Sequence, residues 1–125
     1  MILSIGIDIV AVERIRRVLE RTPRFVERVY TPRERVYCEG KGVASSQSFA
    51  GRFAAKEAFL KALKTGWRGK ITWHDIEVAN DEAGAPSLVI AGDALAILKE
   101  RGGLHAHLSI SHTNEYAVAQ VILES

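Results

Sequence analysis

The feature that most constrains this chain is its centre, from Ser45 to about Lys64. Phe49, Phe53, Leu60 and Leu63 share one side of a helical projection, and Ala50, Ala54, Ala58 and Ala62 form a four-residue stripe. The spacing predicts a long helix. Alanines at that interval let another element pack against the helix at short range. Any fold for this chain therefore has to be built around that helix.

The rest of the chain supplies shorter elements. Residues 3–10 alternate Ile5, Ile7 and Ile9 with Ser4, Gly6 and Asp8, the period of a half-buried strand, with Asp8 on its sparser face near the end. Val12, Ile15, Val18 and Leu19 then recur at helical spacing, with Arg14, Arg17 and Arg21 on another face. Thr22-Pro23 reads as an N-cap followed by proline at the first helical position. Thr31-Pro32 repeats that signal, and Glu34 completes a capping box. Gly40 and Gly42 end this helix. Residues 65–69 (Thr-Gly-Trp-Arg-Gly) close the long helix. Residues 74–80 and 87–90 read as strands around a turn at 81–86. A short helix at 93–101 stops at Gly102-Gly103, and 104–111 with 116–123 form a final hairpin around 112–115. With 125 residues, and no repeats or linkers, the chain reads as one α+β domain, residues 1–125. Its strands cluster toward the C-terminal end and its helices lie in the middle.

Composition narrows the class. At 47% hydrophobic and 26% charged residues, the chain has the balance of a soluble globular protein. Its apolar runs are far too short to span a membrane. Residues 1–10 lack a basic leader and include Asp8, so they do not read as a signal peptide. Cys38 is the single cysteine, which rules out an internal disulfide and makes a reducing cytoplasm the simplest compartment. The net charge of +2 conceals a division. Residues 14–70 hold 15 Lys/Arg against five acids, and residues 71–125 hold two against eight. A basic half suits an anionic partner: nucleic acid, an acidic protein or a phosphorylated small molecule.

Few residues can carry chemistry. Asp8 is a carboxylate in an apolar strand, which calls for a partner or a metal, or else for a role capping the next helix. Glu57, Lys61 and Lys64 fall on one helical face, with Arg52 and Lys56 forming a second basic stripe beside it. Ordinary Glu–Lys helix pairs account for part of that pattern. A diphosphate bound through one Mg²⁺ needs the same mixture, carboxylates for the metal and cations for the remaining oxygens. Ser109-Ile110-Ser111-His112-Thr113 offers hydroxyls and an imidazole at a strand end. His105 and His107 do not combine with Cys38 at zinc spacing, and there is no phosphate-binding glycine loop.

Taken in order, Gly-Ile-Asp-Ile-Val from Gly6, Thr-Pro-Arg-Glu from Thr31, Gly-Arg-Phe-Ala-Ala-Lys-Glu-Ala-Phe-Leu-Lys-Ala from Gly51, Trp-His-Asp-Ile-Glu-Val from Trp73 and Ser-Ile-Ser-His-Thr-Asn-Glu-Tyr-Ala-Val-Ala from Ser109 resemble one family. It is the holo-[acyl-carrier-protein] synthases, the short bacterial 4′-phosphopantetheinyl transferases. The resemblance covers essentially the whole chain. It implies a mostly antiparallel sheet packed on the long central helix. It implies transfer of phosphopantetheine from coenzyme A to a serine of an acyl carrier protein, with Mg²⁺ as cofactor and a role in fatty acid synthesis.

The resemblance assigns Asp8 and Glu57 as metal ligands and Lys61 as a coenzyme A phosphate contact, the three together forming the catalytic set. Arg52, Lys56, Pro86, His112 and Thr113 match other substrate-binding positions. Arg14, Arg21 and Arg24 fall where basic side chains meet the carrier's acidic helix. Family members are typically homotrimers with active sites between subunits. Two positions depart from the pattern: Ala85 and Asn114 stand where relatives commonly carry lysine. The expected proton acceptor for the serine is a water at the metal, or a carboxylate such as Glu34 or Glu57. A nucleic-acid module built on Phe49, Phe53, Trp67 and Trp73 competes less well, because Phe49 and Phe53 sit at core spacing and no binding motif is present.

Overall fold

The computed structural model describes residues 1–65 and 69–125. Gly66, Trp67 and Arg68, in the expected closing turn of the long helix, lie outside the described residues. The elements in order are β1 (Ile2–Ala11), α1 (Val12–Arg21), α2 (Pro23–Val29), α3 (Pro32–Glu39), α4 (Ser45–Leu63), β2 (Ile76–Asn80), β3 (Pro86–Ile90), α5 (Gly92–Glu100), β4 (His105–His112) and β5 (Tyr116–Glu124). Single 3₁₀ turns at Gly42–Ala44 and Trp73–Asp75 precede α4 and β2.

All described strand pairs are antiparallel. One sheet has the order β1-β5-β4, so the N-terminal strand pairs with the last one, and β2 with β3 forms a separate two-stranded sheet. The strands at the C-terminal end thus recruit β1 across the length of the chain. The α+β class and the long helix packed on an antiparallel sheet match the sequence reading.

The alternation in β1 has the expected period, but its buried side is the sparser one. Gly6 and Val10 are buried and Asp8 is half-buried, while Ile5, Ile7 and Ile9 are 53%, 57% and 65% exposed in the single chain. The cause is the alanine stripe of α4. A Cβ on Gly6 would lie 2.0 Å from the Ala58 carbonyl oxygen and 2.7 Å from the Ala62 amide nitrogen. Backbone meets backbone there, so only glycine admits the helix. Ser4, one register position away on the same face, donates its hydroxyl to the Ala62 carbonyl at 2.6 Å.

Elsewhere, local chemistry sets the element ends. Thr31 accepts from the Glu34 amide at 3.2 Å and Glu34 accepts from the Thr31 amide at 2.9 Å, the capping box read from the sequence. Thr22 occupies the cap position of α2, with Pro23 after it, but its side chain makes no cap hydrogen bond. α4 ends with Lys64 in a left-handed conformation, φ 62°. The core gathers around α4, with Phe59, Leu63, Val29, Tyr30, Ile76 and Val121 fully buried. Tyr30 satisfies its hydroxyl by donating to the Phe49 carbonyl at 2.9 Å. Among the described residues, no helix is long and apolar enough to cross a membrane.

Candidate active site

The close approach of α4 to β1 builds the first cluster. Asp8 shares the α4-facing side of β1 with Gly6, and Glu57 and Lys61 lie one turn apart on α4. Lys61 Nζ donates to Asp8 Oδ1 at 2.9 Å and to the Ile7 carbonyl at 3.1 Å. Asp8 therefore does not cap α1; Ala11 holds that position, with no side-chain bond. Burial raises the Glu57 carboxyl above the ordinary glutamate range and the neighbouring Asp8 charge adds to this, while Lys61 and Arg14 oppose both.

Two hard oxygen donors converge where a second negative charge is disfavoured, so added positive charge is welcome. Among the described residues there is no group of three or more His, Cys, Asp or Glu side chains placed to hold a metal. Mg²⁺ commonly takes only one or two carboxylates, filling its remaining positions with water and substrate phosphate oxygens. The donor set of Asp8 and Glu57 fits that ion.

A second cluster forms a cleft of about 270 Å³ between α3, α4, the β2–β3 turn and the end of β4; its walls include Tyr37, Lys41, Arg52, Asn80, Pro86 and His112. Arg52, Pro86 and His112, distant in sequence, are brought together here. Arg52 stacks over Tyr37, its guanidinium carbon 4.1 Å from the ring centroid, and Lys41 Nζ lies 4.4 Å from the same centroid. Tyr37, Lys41 and Asn80 escaped the sequence reading. Tyr37 and Lys41 stand four residues apart at the end of a helix, a weak signal. Asn80 stands out only as the asparagine that opens a turn.

The other assigned residues divide. Arg14, Arg21 and Arg24 are exposed on α1 and α2. Glu13 and Glu20 pair with Arg16, and Glu13 also with Arg17, so among the described residues no ion pair occupies those three arginines. Thr113 uses its hydroxyl within the β4–β5 turn, accepting from the Glu115 amide at 3.2 Å and the Tyr116 amide at 3.1 Å. Asn114 accepts from Gln47 at 2.9 Å.

Lys56 requires correction. It is 0% exposed, donating to Glu34 Oε1 at 2.8 Å and to the Trp73 carbonyl at 3.0 Å. Burial lowers its pKa and the Glu34 charge opposes the shift. It holds α4 to α3 and does not reach either cluster as a substrate contact. Glu34 falls out as a general base for the same reason: it is 1% exposed and accepts from Lys56, Thr31 and the Val78 amide. Nor does Arg52 run beside Glu57. At about 100° per residue, Ser48 and Arg52 lie roughly opposite Glu57 and Lys61 around α4.

A long helix on an antiparallel sheet, a carboxylate pair fit for a divalent ion, and a cationic cleft suit a class of small phosphate-binding proteins. Comparison with known proteins places the chain within it. The 4′-phosphopantetheinyl transferase superfamily matches residues 4–121. The holo-[acyl-carrier-protein] synthase of Koribacter versatilis is 53% identical over 125 residues, covering 99% of both chains. The Bacillus anthracis holo-[acyl-carrier-protein] synthase, solved in complex with CoA (3′,5′-ADP), superposes with a TM-score of 0.82 at 44% identity, covering 100% of this chain and 98% of that one. The Neisseria meningitidis enzyme gives 0.86 at 37% identity, with full coverage of both. The chain belongs to the holo-[acyl-carrier-protein] synthase family of 4′-phosphopantetheinyl transferases.

Proposed function

We infer that the enzyme moves the 4′-phosphopantetheine arm of coenzyme A onto a serine of an acyl carrier protein, with Mg²⁺ at Asp8 and Glu57, releasing adenosine 3′,5′-bisphosphate and serving fatty acid synthesis in the cytoplasm. The observation that carries this reading is the convergence of Asp8, Glu57 and Lys61 at the β1–α4 contact. A divalent ion there supplies charge neutralisation for the coenzyme A diphosphate. Lys61, already paired with Asp8, is placed to turn its ammonium to the phosphate oxygens. The serine oxygen attacks the phosphorus bearing the arm, the new O–P bond forms, and the bond to the nucleotide phosphate breaks. Positioning and charge stabilisation carry most of such a step. With Glu34 sealed in the core and Glu57 committed to the metal, the serine proton passes to water.

The two clusters face away from each other across α4, so one coenzyme A has difficulty reaching both in a single chain. Ile5, Ile7 and Ile9 form an exposed apolar stripe on the outer face of the sheet. Both features support assembly of copies so that one chain's Asp8–Glu57–Lys61 meets another's Arg52–His112 cleft. A homotrimer, as the family resemblance implies, is the ring that repeats one such heterologous contact. Ile7→Glu should then yield monomers by light scattering with transfer activity largely lost. A variant of unchanged mass and rate would sink the assembly reading.

The free arginines suit an acidic carrier. Arg21→Glu combined with Arg24→Glu should raise the carrier KM at least about tenfold and leave the coenzyme A KM within about twofold, whereas Arg14, whose charge also reaches Glu57, would disturb both substrates. Wild-type activity should also fall with salt, since exposed charges are screened over about 8–10 Å. Equal effects on both substrates would point to general destabilisation instead.

The direct test is intact-mass spectrometry of apo acyl carrier protein after incubation with this enzyme, coenzyme A and Mg²⁺, with an EDTA control. A gain of one phosphopantetheine, lost with EDTA, supports both the reaction and its metal. A folded enzyme that modifies no carrier overturns the reading.

A further inference from the structure

Arg52 is 4% exposed, yet it forms part of the wall of the cationic cleft. Its Nη2 donates to Asn80 Oδ1 and its Nη1 to Ser48 Oγ at 3.4 Å. Among the described residues, its buried Nε has no hydrogen-bond partner. The guanidinium thus has donor capacity unspent. Asn80 is the last residue of β2, and its other amide atom, Nδ2, donates to the Gly84 carbonyl at 2.9 Å. A guanidinium only donates and a carbonyl only accepts, so the two partners fix which end of the amide is which. One side chain therefore joins the cation on α4 to the turn carrying Gly84 and Pro86, both of which line the cleft.

We propose that Asn80 is a positioning residue for the nucleotide end of coenzyme A, setting the Arg52 guanidinium against Tyr37 and fixing the Gly84–Pro86 rim opposite it before the ligand arrives. The proposal rests on reading this cleft as the nucleotide site. A neutral amide orients the guanidinium without neutralising it, which a carboxylate would do. Ala85 brings no charge to the rim, so among the described residues Arg52 and Lys41 are the Arg/Lys cations lining the cleft, and the geometry of Arg52 matters more. A donor held in place beforehand loses less freedom when the phosphate binds.

The test is calorimetric binding of adenosine 3′,5′-bisphosphate to the wild type, Asn80→Ala, Asn80→Asp, Arg52→Gln and the Asn80→Ala/Arg52→Gln double variant, with steady-state kinetics in coenzyme A. Asn80→Ala should weaken binding about tenfold, the scale of a hydrogen bond to a charged group. It should raise the coenzyme A KM similarly, with kcat within about twofold. The double variant should bind no worse than Arg52→Gln alone. Asn80→Asp keeps an acceptor for Arg52 but adds a negative charge and gives up the bond to the Gly84 carbonyl, so it should fold and still bind at least about tenfold more weakly. Wild-type affinity in Asn80→Ala or Asn80→Asp, multiplying penalties in the double variant, or a fall in kcat at constant KM would each overturn the role of Asn80. If the wild type transferred the arm yet failed to bind the bisphosphate, the nucleotide reading of the cleft would fall first.

Discussion

Glu57→Gln should lower turnover at least about a hundredfold, because a divalent ion contributes several kcal/mol of charge stabilisation to a phosphoryl transfer. The same change should leave the fold at least as stable as the parent. Glu57 carries a raised pKa, chiefly from burial and then from Asp8. The folded state therefore holds its proton more tightly than the unfolded chain does. Between the ordinary glutamate range and the raised value, folding takes up a proton, so this group's contribution to stability falls as pH rises through that window. Glutamine has no charge to desolvate and does not repel Asp8. The variant should thus gain stability relative to wild type as pH approaches neutrality, while its activity is lost. Thermal melts across pH at fixed protein concentration, run beside the mass-based transfer assay, separate the outcomes. Wild-type turnover would remove Glu57 from the metal site. A joint loss of activity and melting temperature would make it a structural residue.

The sequence carried the elements better than the faces. The length and spacing of α4, the capping box at Thr31 and the final hairpin all depend on residues a few positions apart, and each formed as read. The orientation of β1 was different. Alternation gives a strand's period but not which side is covered, and the bulkier side normally wins. Here the alanine stripe of α4 and the backbone contact at Gly6 put the small residues inward and leave three isoleucines for another surface. The site was legible to the same degree. Glu57 and Lys61 are neighbours on a helix, and their meeting with Asp8 follows once β1 lies on α4. The spacing of Lys56 from Arg52 suggests a basic stripe beside Glu57, and the family resemblance adds a substrate contact, but neither shows which way the helix faces. A single residue turns the helix by about 100°, and that points Lys56 into the core. Asn80, Tyr37 and Lys41 come from separate segments whose convergence only the packing of β2 and α3 on α4 decides.

Lys56→Met should destabilise the fold by about 3–5 kcal/mol, the usual consequence of removing one partner from a buried ion pair. The ammonium joins three elements: Glu34 on α3, the Trp73 carbonyl before β2, and α4 itself. Removing it leaves the Glu34 carboxylate fully buried, still accepting from the Thr31 and Val78 amides but without a countercharge. For a chain of this length the loss corresponds to a fall in melting temperature of roughly 10–20 °C. Adding Glu34→Gln should recover part of it. Glutamine keeps a carbonyl oxygen for the Thr31 amide and strands no charge in the core, but its NH2 cannot accept from the Val78 amide as the carboxylate does, so the rescue stops short of the near-neutral result that apolar replacement of a whole buried pair often gives. Denaturant unfolding of both variants at one protein concentration measures the difference, since any self-assembly adds to apparent stability by mass action. If Lys56→Met melted with the wild type but lost affinity for coenzyme A, the lysine would be a substrate contact after all. If the double variant were no better than the single one, the ammonium's bond to the Trp73 carbonyl, and not the ion pair, would be what holds α4 to the rest of the core.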